Sequence, residues 1–175
     1  MDIYSALKAD HEKVLGLIDE LLELSESDDY RDVLVQQIKD ELIPHSRAEE
    51  SVFYNSIRAV GPDSSPVMHS FREHMEAEAL LESLVVQEKV DLDWKKTARK
   101  FKDALEHHIS EEEGKIFRQA RSLFSEDEAR MMGEAFSRLK GEISDHGMIR
   151  NVVDVIKNLM PPRWKGQLEG LEKRN

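Results

Sequence analysis

His45-Ser46-Arg47-Ala48-Glu49-Glu50 and His108-Ile109-Ser110-Glu111-Glu112-Glu113 stand 63 residues apart and share a pattern that decides the fold. Each run sets a carboxylate four places after an imidazole and adds a second carboxylate directly behind it. Residues four apart on an α-helix differ by about 40 degrees, so each pair leaves one face of its helix, one turn apart. The same offset of 63 relates His11 to His74. With only 7 histidines in 175 residues, chance is a poor account of that register. The chain reads as a duplicated helical hairpin folded round one polar centre.

Working outward, the apolar positions keep helical spacing. Ile3, Leu7, Val14, Ile18 and Leu21 predict a first helix over roughly 2–25, closed by the polar stretch 25–29. Tyr30, Leu34, Ile38, Leu42, Phe53 and Ile57 predict a second helix that stops near Gly61-Pro62. Pro44 lies inside it and, lacking a backbone donor, predicts a kink. A third helix is expected from about Val67 to Gln87, and a fourth from Asp91 or Asp93 to Ser122. Short connections make neighbours antiparallel, so residues 1–124 predict an all-α, antiparallel up-down-up-down four-helix bundle.

Beyond it, Ser125-Glu126-Asp127-Glu128 is a capping box that opens a fifth helix. Gly141 marks a break or bend, and Ile143 to Met160 reads as a sixth segment ended by Pro161-Pro162. Residues 125–160 are therefore a C-terminal helical extension packed on or beside the bundle, and 161–175, with Trp164, a polar tail. Met131, Met132 and Phe136 read as core filler, with a homodimer or protein-partner surface on these helices as the other use.

Composition agrees with helices: 39% hydrophobic and 35% charged residues, with 8 Gly and 5 Pro. A formal charge of -11 repels phosphate backbones, which argues against a nucleic-acid partner. The absence of cysteine excludes thiolate metal sites, iron-sulfur clusters and thiol catalysis. No apolar run is long enough to span a bilayer and the N-terminus lacks a signal pattern, so the expectation is a cytoplasmic protein without a membrane partner.

In the bundle, His11, His45, His74 and His108 can converge with Glu49 and Glu112. Nitrogen and carboxylate donors without sulfur suit iron, manganese or zinc, and carboxylates between helices can bridge two ions. Two six-coordinate ions have about twelve positions, of which these six residues fill about eight. The remainder leaves room for a bridging oxygen and for a small ligand such as dioxygen, peroxide or nitric oxide. A metal-free or zinc-binding helical interaction module is the other class of reading.

Asp10-His11-Glu12, the His45 to Tyr54 run, Glu73-His74 and the His108 to Phe117 run together resemble the hemerythrin-like, or HHE cation-binding, family over roughly residues 2–124. The resemblance implies a non-heme di-iron centre, oxo- or hydroxo-bridged, used for oxygen binding, peroxide or nitric-oxide chemistry, sensing or iron handling. It implies His11, His45, His74 and His108 as terminal ligands and Glu49 and Glu112 as bridges. Oxygen-carrying members have a second histidine four residues after the one on the third helix; here that position is Glu78. As a ligand, Glu78 would add an anionic donor that favours ferric iron, turning the expectation from oxygen carriage to redox turnover or sensing, with peroxidase, catalase-like or nitric-oxide-reducing chemistry as the enzymatic forms.

The remaining candidates are peripheral. His69 falls about 140 degrees round the helix from His74 and shares the metal face as a ligand only if the helix is irregular there, while His107, about 100 degrees from His108, reads as a rim or surface residue. His146 reads as a surface histidine. Glu50 and Glu113 are expected to hydrogen-bond ligand imidazoles or to face solvent. Tyr54 is expected to pack in the core with its hydroxyl at the rim.

Overall fold

The computed structural model describes residues 1–87 and 93–146. Among these residues there are seven α-helices and two π-helical turns, and no strand. Helix α1 spans Ile3–Glu23, α2 Arg31–Glu49 and α3 Asn55–Val60, with the π turn Glu50–Tyr54 joining α2 to α3. Helix α4 spans Ser65–Gln87, α5 Trp94–Glu111 and α6 Phe117–Leu123, with the π turn Glu112–Ile116 joining α5 to α6. Helix α7 spans Glu126–His146. The four expected bundle rods are thus α1, α2 with α3, α4, and α5 with α6.

Local chemistry sets the ends. The Asp2 carboxylate accepts from Ser5 N at 2.8 Å, and Asp93 accepts from Lys96 N at 3.1 Å, capping α1 and α5. Ser125 and Glu128 form the expected capping box: Ser125 N donates to the Glu128 carboxylate at 2.9 Å, and Glu128 N donates to Ser125 Oγ at 3.3 Å.

Cross-helix pairs fix the directions. Asp10 meets His45 and Lys13 meets Glu41, so α1 and α2 run antiparallel. Glu73 meets His108 and His69 approaches Glu111, which makes α4 and α5 antiparallel too. Contacts of α1 with α5 and of α2 with α4 close the ring of four. The core divides into two apolar clusters. One gathers Tyr4, Phe53, Tyr54, Ile57, Phe117 and α7 residues; the other gathers Ile18, Leu21, Ile38, Leu81, Phe101 and their neighbours. The buried imidazoles and carboxylates fall between them along every rod.

Helix α2 continues through Pro44, which lies inside the rod, and leaves α geometry at Glu50–Tyr54. Two expectations need correction. Gly141 is no break: α7 runs through it to His146, because an exposed helical glycine with nothing near it costs only about 1 kcal/mol against alanine. The expected sixth segment therefore begins inside α7; its remainder to Met160, Pro161-Pro162, Trp164 and the tail lie outside the described residues, as do Asp91 and the side chain of His146.

Helix α7 lies along α1 and α2 and buries Met132, Ala135, Phe136 and Leu139 against them. Gly133 allows that approach: a Cβ there would stand 2.7 Å from the Asp2 carbonyl carbon and 2.9 Å from Ile3 N.

Candidate metal centre

Each rod of the bundle delivers one imidazole: His11 from α1, His45 from α2, His74 from α4 and His108 from α5, all buried. Glu49 and Glu112 are fully buried beside them. Both carboxylates sit at the junction of an α-helix with a π turn. A π turn inserts one residue into the helical ladder and rotates the next stretch of helix about its axis, a distortion common at functional sites. It lets Glu49 face the centre while Val52, Phe53 and Ile57 still face the apolar cluster.

Donor atoms converge in two triads. One atom each from His11, His45 and Glu49 lie within 4.8 Å of one another, and so do atoms from Glu49, His74 and His108. Glu49 belongs to both, as a bridging carboxylate must. Its Oε2 is 3.5 Å from His45 Nε2 and 3.3 Å from His74 Nε2. His74 Nε2 and His108 Nε2 stand 3.1 Å apart, and His11 Nε2 is 3.3 Å from Glu112 Oε2. Ligands about 2.0–2.2 Å from one ion are separated by about this much.

The outer nitrogens are all engaged. Nδ1 of His11 meets Glu113 at 3.1 Å, His45 meets Asp10 at 3.1 Å, His74 meets Glu50 at 3.0 Å and His108 meets Glu73 at 3.1 Å. A carboxylate on Nδ1 fixes the tautomer and turns Nε2 inward as a lone-pair donor. Glu50 and Glu113 are the acids expected in this role. Asp10 and Glu73 join them unannounced, although they too are acidic positions at the offset of 63. Each precedes a histidine of its own helix yet serves the histidine of the next.

Ionisation in the metal-free state shows how crowded the centre is. Burial works against a charged His11, but Glu112, Glu49 and Glu113 raise it to about 9. Burial opposes a charged His74 as well, and Glu49 and Glu50 raise it to about 10. Burial would raise Glu49, yet the neighbouring Glu112 carboxyl and the imidazoles His45 and His74 hold it well below the usual carboxylate range. Glu112 is pushed well above that range by burial and by the charge on Glu49.

The residues fit a cation. Both oxygens of Glu49, both of Glu112 and Nε2 of His11 are buried without a hydrogen bond. Such atoms are costly in a protein interior unless a metal or partner takes them up. A cavity of about 10 Å³, lined by all four imidazoles with Val14, Leu42, Ala77 and Leu105 among its walls, adjoins the triads. That is room for about one water-sized molecule.

Other candidates fall elsewhere. Glu78, like Glu112, is in neither triad; unlike Glu112, which meets His11, its Oε2 accepts from Arg47 Nη2 at 2.7 Å, because that guanidinium on α2 faces α4 at this level. Held by Arg47, Glu78 adds no anionic donor to either triad. Tyr54 is wholly buried, not at the rim, and stacks on His74 at 5.5 Å between centroids. Burial, with Glu112 and Glu49 adding, holds its phenol well above the usual range. His69 and His107 are exposed at the outer edge of Glu73.

A helical bundle with four imidazoles and two carboxylates turned inward defines a cation-binding protein of the imidazole–carboxylate class. The family model described as the hemerythrin HHE cation binding domain matches residues 2–120, and the chain belongs to that family. A crystal structure of a hemerythrin HHE cation binding domain-containing protein from Mycobacterium kansasii shares the fold, with a TM-score of 0.69 at 21% identity over 89% of this chain and 99% of that one. A protein of Nostoc sp. (strain PCC 7120 / SAG 25.82 / UTEX 2576) named as a DNA nickase is 26% identical over 143 residues, or 82% of this chain. The match spans only 40% of that relative's length.

Proposed function

We propose that this chain is a non-heme di-iron protein that binds or reacts with dioxygen, peroxide or nitric oxide, in sensing or stress defence. The observation that carries the reading is Glu49, whose carboxylate belongs to two separate imidazole triads and so suits a pair of ions. Iron supplies the redox chemistry when bound. The chain's residues do the rest. Asp10, Glu50, Glu73 and Glu113 hold the Nδ1 protons and so raise the donor strength of each Nε2. Val14, Leu42, Ala77 and Leu105 give the small cavity an apolar wall, which admits a diatomic or peroxide-sized ligand and keeps bulk water out.

The activity in the name of the cyanobacterial relative is not extended to this chain. A DNA substrate needs cationic surface, and the formal charge of -11 opposes it. A protein partner or second copy would meet the outer face of α7, since its inner face is taken by α1 and α2.

Metal analysis with an optical spectrum after air oxidation tests the reading. About two irons per chain are expected, in keeping with a carboxylate-bridged pair. Stoichiometric zinc, or a melting temperature indifferent to exhaustive chelation, would leave a helical module without redox chemistry. Hydrogen peroxide turnover by the iron-loaded protein, lost in His74→Ala, separates an enzyme from a sensor that forms a stable adduct.

A further inference from the structure

Outside the buried centre, a second group of donors meets on the surface between α4 and α5. His69 and Glu73 are four residues apart on α4, and His107 and Glu111 four apart on α5, so each pair shares a face of its helix. The antiparallel packing of the two helices brings the pairs opposite each other. One donor atom from each of the four residues lies within 4.8 Å of the other three.

The geometry matches a single ion. Glu73 Oε1 is 3.4 Å from His69 Nε2 and 3.5 Å from His107 Nε2, and His69 Nε2 is 3.9 Å from Glu111 Oε2. A tetrahedral ion with bonds of about 2.0–2.2 Å separates its ligands by roughly 3.3–3.6 Å. These gaps are too long or too poorly aimed for hydrogen bonds, and they need only small rotations to close on a metal.

Glu73 gives the independent indication. Its side chain is only 9% exposed, and its two oxygens divide. Oε2 takes the Nδ1 of His108 at 3.1 Å, while Oε1, turned to the two surface imidazoles, is buried without a hydrogen bond. An orphaned carboxylate oxygen aimed between two imidazoles is a ligand position. Lys115 engages Oε1 of Glu111 at 2.5 Å and leaves Oε2 toward His69. A surface groove lined by His69, Glu73, Glu76, Asp103 and His107 gives an ion an entry path, with Lys100 the cationic residue on its wall.

We propose that His69, Glu73, His107 and Glu111 form a second metal site, taking one divalent cation of the zinc type. Two neutral imidazoles and two carboxylates bring four donors and cancel its charge, the set that tetrahedral zinc accepts. Glu73 then bridges the outer ion and the His108 imidazole, so the surface site and the buried centre share one carboxylate.

The test titrates the full-length protein, as purified with whatever the buried centre carries, with zinc chloride by calorimetry. A His69→Ala/His107→Ala double variant is titrated alongside it. Both side chains are exposed, so the variant should keep its melting temperature and buried metal content. The wild type should take up one equivalent more than the variant, and Glu111→Gln should bind that equivalent more weakly by about tenfold. The readout is the difference between titrations, so it stands whether or not the buried centre is di-iron. Zinc-edge absorption should show about two imidazole nitrogens on a four-coordinate ion. Equal zinc uptake by wild type and double variant, or an ion without imidazole ligands, overturns the site.

Discussion

The two halves related by the offset of 63 build the same imidazole–carboxylate relays and then surround them differently. In both, a histidine of one helix is held by an acid from the next: Asp10 on His45 against Glu73 on His108, and Glu113 on His11 against Glu50 on His74. In the first half, α7 closes over the relay. Lys140 pairs with Asp10 at 2.8 Å, and the Phe136 ring meets the edge of His45 at 5.6 Å between centroids. In the second half no helix covers the corresponding acid among the described residues, and Glu73 opens instead on His69 and His107. The repeat specifies the inner imidazoles and carboxylates, while the residues outside it decide whether a relay is sealed or open to solvent.

The largest break in the comparison should come from removing the seal. Phe136 is 2% exposed, and truncation of such a phenylalanine costs about 3–5 kcal/mol. Phe136→Ala should therefore lower the melting temperature substantially. Hydrogen exchange should speed up in α1, α2 and α7 before α4 and α5, since α7 packs chiefly along α1 and α2. Uniform loss of protection would mean that the halves are not separable in this way.

Much of this is legible in the sequence, for identifiable reasons. Period and register together name His11, His45, Glu49, His74, His108 and Glu112, because duplication makes a weak motif specific. The π turns are not legible. They change which backbone groups pair without altering the apolar count, so Val52, Phe53 and Ile57 look like ordinary helix. Asp10 and Glu73 differ in residue type and serve the neighbouring helix's histidine, a relation that exists only after packing. Glu78 misleads because the count from His74 is right, while the Arg47 guanidinium that takes its carboxylate lies on another rod. His69 and His107 each look peripheral when taken singly, although His69 with Glu73 and His107 with Glu111 repeat the spacing of the core pairs.

Protonation should treat His11 and His74 alike, although the paired carboxylates part, Glu49 held below and Glu112 pushed above the usual range. His11 and His74 are the imidazoles raised, to about 9 and about 10, each by carboxylates beside it. Their folded values lie above the unfolded value of about 6.5. Their stabilisation of the metal-free chain is therefore full below about 6.5 and lost as pH rises through about 9 and then about 10. Metal must displace these protons, so affinity should fall about tenfold per pH unit for each imidazolium as pH drops below its value. Titration in buffers of different ionisation enthalpy should report release of about two protons from these imidazoles, with the Glu112 carboxyl, itself raised by burial and by Glu49, adding to the count. Release of one would show that a single half is poised this way.

A smaller effect sharpens the relay comparison. Asp10→Asn and Glu73→Gln each keep an acceptor oxygen for Nδ1 but remove the charge, and loss of such an outer partner costs about tenfold or more in metal affinity. The two substitutions should agree within about threefold, since the distances to His45 and His108 are equal at 3.1 Å. Metal competition with a chromophoric chelator measures both. A markedly larger loss for Glu73→Gln would show that the open half relies more on its acid than the sealed one.

The smallest effects belong to the cations that hold the other two acids. Lys8 pairs with Glu113 at 2.5 Å, but its side chain is half exposed, so Lys8→Ala should cost less than about 1 kcal/mol and less still in high salt. Arg47 occupies the equivalent place on Glu50 but also takes Glu78, whose Oε1 is buried without a hydrogen bond. Arg47→Ala therefore leaves two partly buried acids, Glu50 of the relay and Glu78 beside it, without their cation. It should cost about 1–2 kcal/mol in denaturant unfolding, more than Lys8→Ala. Freed of Arg47, Glu78 is also the carboxylate left to turn toward His74, four residues before it on α4. A gain in metal affinity in Arg47→Ala, absent from an Arg47→Ala/Glu78→Gln pair, would show that the guanidinium is what keeps Glu78 out of the centre. Equal costs for the two alanine variants would mean that these outer cations are interchangeable surface charges.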